Sequence, residues 1–194
     1  MPWPSGTPEL NITITGNGER GANKTTLYVK ESAWDSLPRD PQDETKEDPS
    51  IQPSIIVSRP YQGGTMNVGY LAIELENNHH KICCINQQYN GGGMLDHIVA
   101  TAAQNSQADT YPTEGCVAFR SYFGSDNGTI QKWQHIVCIG FYEAFQIGAE
   151  HHILMNCGGR YNYYCFTFGN YDYIGGTNDH PIILINCCDE HSAH

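Results

Sequence analysis

Basic residues are scarce in this sequence, and no run of lysine or arginine occurs. The 194 residues include 10 Lys and Arg against 21 Asp and Glu, which gives a formal net charge of -11. A nucleic-acid-binding protein needs cationic side chains to displace the counterions of the phosphate backbone. The composition therefore argues against a nucleic acid as the partner.

Long apolar stretches are also missing. No segment approaches the ~18 apolar residues that a membrane-spanning helix needs. The first residues, Met1–Gly6, have neither the basic start nor the apolar centre of a signal peptide. We therefore expect a cytoplasmic protein, with secretion of a processed form as the alternative.

The sequence lacks the common catalytic motifs. There is no Gly-x-Ser-x-Gly elbow, and Gly91–Gly93 is not followed by the Lys-Ser/Thr of a phosphate-binding loop. Most of the eight cysteines lie inside apolar runs, where burial raises the thiol pKa and makes a poor nucleophile. We expect no cofactor, and an enzyme or metalloprotein that uses His and Cys side chains stays an alternative.

Histidine pairs are the candidate metal ligands. They are His79, His80, His151 and His152. Zinc ligands usually come as Cys-x2-4-Cys or His-x3-5-His pairs, and none of those spacings organises this chain. Adjacent residues of a regular strand point to opposite faces, so two neighbouring histidines would not face one ion. These four residues are therefore weak metal candidates.

Short alternating segments bounded by turn residues predict strands over most of the chain. Two pairs predict hairpins, Val68–Leu75 with Lys81–Asn86 and Cys116–Phe123 with Trp133–Phe145, and one short helix is expected over Leu95–Gln104. The segment 37–53 is acidic and proline-rich and predicts a loop. We expect an all-β fold: one β-sandwich domain, residues 1–194, of about ten strands with at most one or two short helices.

An imperfect internal repeat supports related hairpins. Ile85–Asn86, Met155–Cys157 and Ile185–Cys187 each end an apolar strand, and each strand follows a turn that contains histidine. The similarity is at the level of single hairpins, so we expect a pseudo-symmetric core and not a solenoid.

Three loops combine amide and tyrosine residues, and the first two also contain glycine. They are Gln87–Gly93, Gly158–Tyr164 and Asn170–Tyr173. Amide, carboxylate and guanidinium groups hydrogen-bond sugar hydroxyls, and a tyrosine ring packs on the apolar face of a sugar. The same residues are common in ordinary β-turns, which is the alternative interpretation.

Parts of the sequence resemble the fungal fruit-body lectins of the actinoporin-like fold. Ile85–Gly93 is similar to their Ile-Asn-x-x-Tyr-Tyr-Asn stretch, Thr26–Trp34 to an early strand, and Cys116–Arg120 to the start of a closing hairpin. A second alignment places Gln87–Thr101 on the sugar-binding segment of the family, with Gln88 near the position of the family's histidine. The similarity covers about a third of the chain in short pieces.

This resemblance implies a β-sandwich lectin without catalytic activity. It would bind galactose- or N-acetylgalactosamine-type glycans or glycoproteins, and would form a homo-oligomer. A membrane-binding or pore-forming cytolysin of the same fold is the minority alternative. From the resemblance and the loops together, the candidate carbohydrate-binding residues are Tyr89, Asn90, Gly92, Asp96, Thr101, Arg120, Tyr122, Arg160 and Tyr161.

Overall fold

A computed structural model describes the chain in eight segments: 12–37, 53–57, 65–87, 92–102, 112–121, 131–147, 152–168 and 182–193. Strands dominate these segments, and one 3-10 helical segment, Glu31–Ser36, follows the second strand. The strands are β1 (Ile12–Thr15), β2 (Thr26–Val29), β3 (Ser54–Val57), β4 (Met66–Leu75), β5 (Ile82–Asn86), β6 (Gly93–Ala102), β7 (Cys116–Ser121), β8 (Gln131–Ile139), β9 (Glu143–Ile147), β10 (His152–Met155), β11 (Gly158–Arg160), β12 (Tyr164–Phe168), β13 (Ile182–Ile185) and β14 (Cys188–Glu190).

The strands form two sheets, and every strand pair among the described residues is parallel. Sheet A has nine strands. Six of them pair in the order β1-β4-β6-β8-β10-β13, and the other three pair beside this path: β2 with β4, β11 with β8, and β14 with β11. Sheet B has five strands in the order β12-β9-β7-β5-β3. Within each sheet, neighbouring strands therefore follow one another in chain order.

The chain alternates between the two sheets and so advances as a coil. Each passage through sheet A is followed by a strand of sheet B, after which the chain returns to sheet A one strand further along. A parallel pair needs a long crossover, which is usually a helix. Here the strand of the opposite sheet provides that crossover, which makes the architecture a parallel β-helix.

The core lies between the two sheets. Trp133 of sheet A contacts Phe119 and Phe145 of sheet B, with ring centroids 6.1 and 6.3 Å apart, and all three residues are fully buried. Like residues also stack between successive coils, as Phe145 and Phe166 do at 5.0 Å. Each buried aromatic ring contributes about 2 kcal/mol relative to an exposed one, so this interior supplies much of the stability.

The expected β-sandwich is wrong. Both predicted hairpins fail, because β4 and β5 lie in different sheets, as do β7 and β8. Alternation of apolar and polar residues is a property of single strands and is the same for parallel and antiparallel neighbours. The turn at Asn77–Asn78 carries the chain from β4 in one sheet to β5 in the other and does not fold it back on the same sheet.

The expected helix over Leu95–Gln104 is also wrong in its described part, where β6 runs through Gly93–Ala102. The interpretation of the internal repeat is corrected as well. Met155 pairs with Ile185, and the strands that follow pair Gly158 with Cys188, so two of the three segments are the same part of successive coils of a solenoid, which was not expected. The third, Ile85–Asn86, ends β5 in sheet B and is not equivalent to them. Residues 38–52 of the predicted acidic loop lie outside the described residues.

Candidate functional site

Sheet A bends at one position in five successive coils of the described chain, and the residue at each of these bends has a left-handed backbone. The φ angles at this position lie between 50° and 57°. Left-handed backbone is uncommon for residues other than glycine, and among those residues Asn, Asp and His adopt it most readily. The strand pairing places these residues in register, one per coil, and we call them the bend column: Tyr70, His97, His135, Asn156 and Asn186.

The bend brings Asp96 and His97 to the same side of the chain. In a regular strand the two neighbours would face opposite ways. The φ of 51° at His97 turns its ring back toward the carboxylate, and His97 Nδ1 lies 2.6 Å from Asp96 Oδ1.

A second histidine reaches the same carboxylate oxygen from the next coil. His135 Nδ1 lies 3.0 Å from Asp96 Oδ1, and the centroids of the two imidazole rings are 4.4 Å apart. Both histidine side chains are a little over one-third exposed, whereas that of Asp96 is only 10% exposed. The cluster therefore has a sheltered carboxylate below two rings that solvent reaches.

Asp96 is held as a carboxylate. Burial opposes its ionisation, but hydrogen bonds from His135, Gln134 and His97 outweigh burial and lower the pKa of the carboxyl below its usual value. An ionised carboxylate has no proton to donate, so each histidine Nδ1 donates to it.

Tyr70 extends this cluster by one coil. Its ring stacks on His97, with centroids 4.9 Å apart and 7° between the planes, and the residue is 44% exposed. In the preceding coil the bend position falls on Gly16, since Thr15 pairs with Gly69. Gly16 has no side chain to cover the second face of the tyrosine ring. An added Cβ there would lie 2.4 Å from the backbone oxygen of Tyr70, which accounts for glycine at that position.

A second left-handed position lies at the far end of the same sheet. Tyr161 (φ 56°) and His191 (φ 57°) occupy it in successive coils, and their rings stack with centroids 5.5 Å apart. The Arg160 guanidinium lies 4.8 Å from the centroid of the Tyr161 ring and forms an ion pair with Glu190 at 3.6 Å. Tyr161 is 49% exposed, so this cluster offers solvent an aromatic ring beside a fixed cation.

Four of the predicted carbohydrate-binding residues lie on one side of the same sheet. Asp96, Thr101, Arg160 and Tyr161 share the outer side of sheet A, and Thr101 and Arg160 both pair with Ile139 from opposite sides. They are spread over several coils and do not form one pocket.

The other predicted carbohydrate-binding residues are elsewhere. Gly92 is buried and forms an isolated parallel β-bridge with Thr65. Tyr89, Asn90 and Tyr122 lie outside the described residues.

Arg120 belongs to a buried polar network on sheet B. It is 3% exposed and donates from Nε to Gln146, which in turn donates to Glu143 Oε2 at 3.2 Å. Thr167 also donates to Glu143 Oε2, at 2.6 Å. The network lies on a different sheet from Asp96, and its burial gives Arg120 a structural role.

The predicted metal histidines do not form a metal cluster in the part of the chain that the structure describes. His80 pairs with Glu31 at 2.9 Å and contacts Trp34, while His79 is exposed. His152 is fully buried against Trp133, and burial lowers the pKa of its ring to about 3. His151 lies outside the described residues.

Comparison of the chain with protein-family models, with curated proteins and with solved structures gave no match. The described residues also contain no helix of the length and apolarity that crossing a membrane requires. The site must therefore be interpreted from its own geometry.

Sequence reasoning missed Tyr70, His97 and His135, although a signal was present. Core residues along sheet A are spaced by two within a strand, but by three across each bend. Four coils show this spacing with buried pairs: Val68 and Leu71, Leu95 and Ile98, Trp133 and Ile136, and Leu154 and Cys157. The bend-column residue lies between the two buried residues of each such pair.

Proposed function

We propose that this protein is a carbohydrate-binding protein that holds an extended glycan along the outer side of sheet A. The observation that supports this best is Tyr70, a half-exposed aromatic ring whose one face stacks on His97 while the neighbouring coil offers only Gly16. A tyrosine ring fixed in this way presents a flat apolar surface without losing further side-chain freedom on binding.

Polar groups on the same side of the sheet could supply the hydrogen bonds that a sugar needs. Arg160 and Glu190 have side chains 44% and 58% exposed, and their ion pair holds both groups beside Tyr161. Planar guanidinium and carboxylate groups match pairs of neighbouring hydroxyls. Thr101 adds a hydroxyl two strands away from Arg160 along the same row, because both pair with Ile139.

The separation of the two tyrosines favours a long ligand. Tyr70 lies in the coil of β4 and Tyr161 follows β11, with the coils of β6 and β8 between them. Three steps between neighbouring strands amount to roughly 14 Å along the coil axis. A single sugar ring would not contact both tyrosines, whereas an oligosaccharide or polysaccharide chain would. The preference for galactose-type sugars came from the resemblance alone and stays a prediction.

A glycan array followed by isothermal titration with the best oligosaccharide tests this proposal. The informative variant is Tyr70→Asn, because asparagine tolerates the left-handed backbone that Tyr70 adopts. Loss of one aromatic stacking partner, worth about 0.5–1.5 kcal/mol, should weaken binding about 2- to 10-fold. Longer oligosaccharides should bind more tightly than short ones until both tyrosines are engaged.

Phe168→Asn is the matched control. Phe168 is 49% exposed on β12 of sheet B, away from the outer side of sheet A, and its replacement should leave the affinity unchanged. Titration in the presence of a chelator separates sugar contacts from any effect of a metal ion. An array without hits, at concentrations that detect millimolar affinity, would contradict the proposal. So would a hit that binds the Tyr70 variant as tightly as the original protein.

A further inference from the structure

We propose that Asp96, His97 and His135 form a binding site for one divalent transition-metal ion. Among the described residues, these three bring one ligand atom each to within 4.8 Å of one another. The inference does not depend on glycan binding, because Asp96 and the two histidines would hold the ion whether or not a sugar contacts Tyr70.

The present spacing is close to that of a filled site. Tetrahedral coordination with metal–ligand distances of about 2.0–2.2 Å places neighbouring ligand atoms about 3.3 Å apart. The two Nδ1 atoms lie 2.6 and 3.0 Å from Asp96 Oδ1, so each must move away from that oxygen by less than about 1 Å to reach this spacing. Rotation about the side-chain bonds of two partly exposed histidines provides that movement.

The backbone fixes the site before any ion arrives. His97 and His135 occupy equivalent positions of adjacent coils, and their left-handed conformations direct both rings to the same carboxylate. Gln134 hydrogen-bonds Asp96 as well, so the carboxylate has a supporting partner beyond the two histidines. A site that is already ordered loses little conformational entropy when the ion binds.

The ligand set selects the class of metal. Two imidazoles and one carboxylate suit zinc, copper, nickel or cobalt, whereas calcium and magnesium prefer an all-oxygen environment. The three ligands leave at least one coordination position open, and both rings are partly exposed, so water can complete the shell. The net charge of -11 favours the approach of a cation.

Metal binding by neutral histidines requires only a change of tautomer. Each Nδ1 that now donates to Asp96 must present a lone pair to the ion, and its proton moves to Nε2 of the same ring through solvent. No proton is released in that exchange, because the neutral ring keeps one proton throughout. Asp96 is already ionised and exchanges two hydrogen bonds for a bond to the metal.

The test is titration of the untagged, metal-free protein with Zn²⁺ by calorimetry and with Cu²⁺ by electron paramagnetic resonance. We expect one ion per chain and a copper spectrum with coupling to two nitrogen nuclei. The variants His97→Asn and His135→Asn keep a residue that accepts left-handed backbone, so circular dichroism should show an intact fold. Each should weaken Zn²⁺ binding at least about 10-fold, since even changes outside the ligand shell cost about 10- to 100-fold.

His191→Asn is the control that separates this site from the histidine-bearing C-terminal segment. His191 has the same left-handed backbone, and its side chain is 61% exposed, but it lies against Tyr161 and away from Asp96. Its replacement should leave the stoichiometry and the affinity unchanged. Absence of stoichiometric binding, binding that survives in both the His97 and His135 variants, or binding lost in the His191 variant would each overturn the proposal.

Discussion

Asn186 Nδ2 donates a hydrogen bond to Asn156 Oδ1 across 2.7 Å, and the two residues occupy the bend position of successive coils. Both have left-handed backbone, with φ of 54° at Asn156 and 50° at Asn186. Tyr70, His97 and His135 contribute aromatic rings to the bend column, and this pair extends the column with two side-chain amides. One backbone position therefore sets both the bend of the sheet and the chemistry that the bend presents.

Replacing Asn156 by alanine should destabilise the fold measurably. Alanine pays about 1–2 kcal/mol for left-handed backbone, and the hydrogen bond to Asn186 contributes about 1 kcal/mol more. Glycine at the same position avoids the backbone cost and should lose only the hydrogen bond. Urea unfolding of Asn156→Ala and Asn156→Gly measures the difference. Equal losses for the two variants would show that the left-handed conformation does not limit the choice of residue here.

His152 should make the protein less stable as the pH falls below neutrality. Among the described residues neither ring nitrogen has a hydrogen-bond partner, and burial lowers the pKa of the ring from 6.5 to about 3. Below pH 6.5 the unfolded chain takes up a proton that the folded chain refuses, so the stability present above that pH is lost progressively toward pH 3. The loss attributable to His152 is about 2 kcal/mol at pH 5.

The variant His152→Leu isolates this effect. Leucine cannot be protonated and leaves no unpaired polar atom beside Trp133, so its urea midpoint should change less between pH 7 and pH 5. At pH 7 the variant should be at least as stable as the original protein. A pH dependence identical in the two proteins would mean that the ring is hydrated or otherwise charged in the folded state.

Thiol accessibility should divide the eight cysteines sharply. Six are buried, Cys187 is partly buried and Cys188 is exposed. Burial raises the pKa of the thiol to about 11 at Cys83 and to about 12 at Cys116 and Cys157, so these groups carry almost no thiolate at pH 8. Labelling of the native protein with a thiol reagent should therefore modify Cys188 first.

Mass spectrometry of the labelled protein checks this expectation. Native protein should gain one label rapidly and a second slowly at Cys187, whereas urea-unfolded protein should gain eight. The variant Cys188→Ser should remove the rapid phase and leave the rest unchanged. Rapid labelling of Cys83 or Cys116 in the native state would place these thiols nearer to solvent than their burial indicates.

Local sequence patterns predicted where most strands lie, but not how they pair. Ile82–Asn86 and Cys116–Ser121 are strands, as alternation and apolar content indicated. Whether two strands of a chain pair antiparallel or pass to opposite sheets depends on the path between them, and short turns rich in Asn and Gly serve both. The helix expected over Leu95–Gln104 is strand β6 in its described part, because apolar residues at a roughly helical spacing, among them Ile98, Val99 and Ala102, also fit a strand that bends once.

The candidate site was predicted only in part, for the same reason. Asp96 was predicted from the sequence as a carbohydrate-binding residue, but its partners were not, because adjacent residues of a regular strand face opposite ways and His135 lies 39 positions along the chain. Pairing of β6 with β8 makes these residues neighbours, and no local pattern contains that information. The histidine pairs that attracted attention as candidate ligands include a fully buried ring, His152, whose surroundings are apolar.

The coiled path of the chain has a consequence for how this surface can change over time. Each coil contacts only the coils on either side, so a substitution at one bend is felt by its immediate neighbours. Asp96 and Tyr161 lie in coils separated by the whole of β8. Mutation can therefore alter the Asp96–His97–His135 cluster and the Tyr161–His191 cluster one at a time, without a compromise between them.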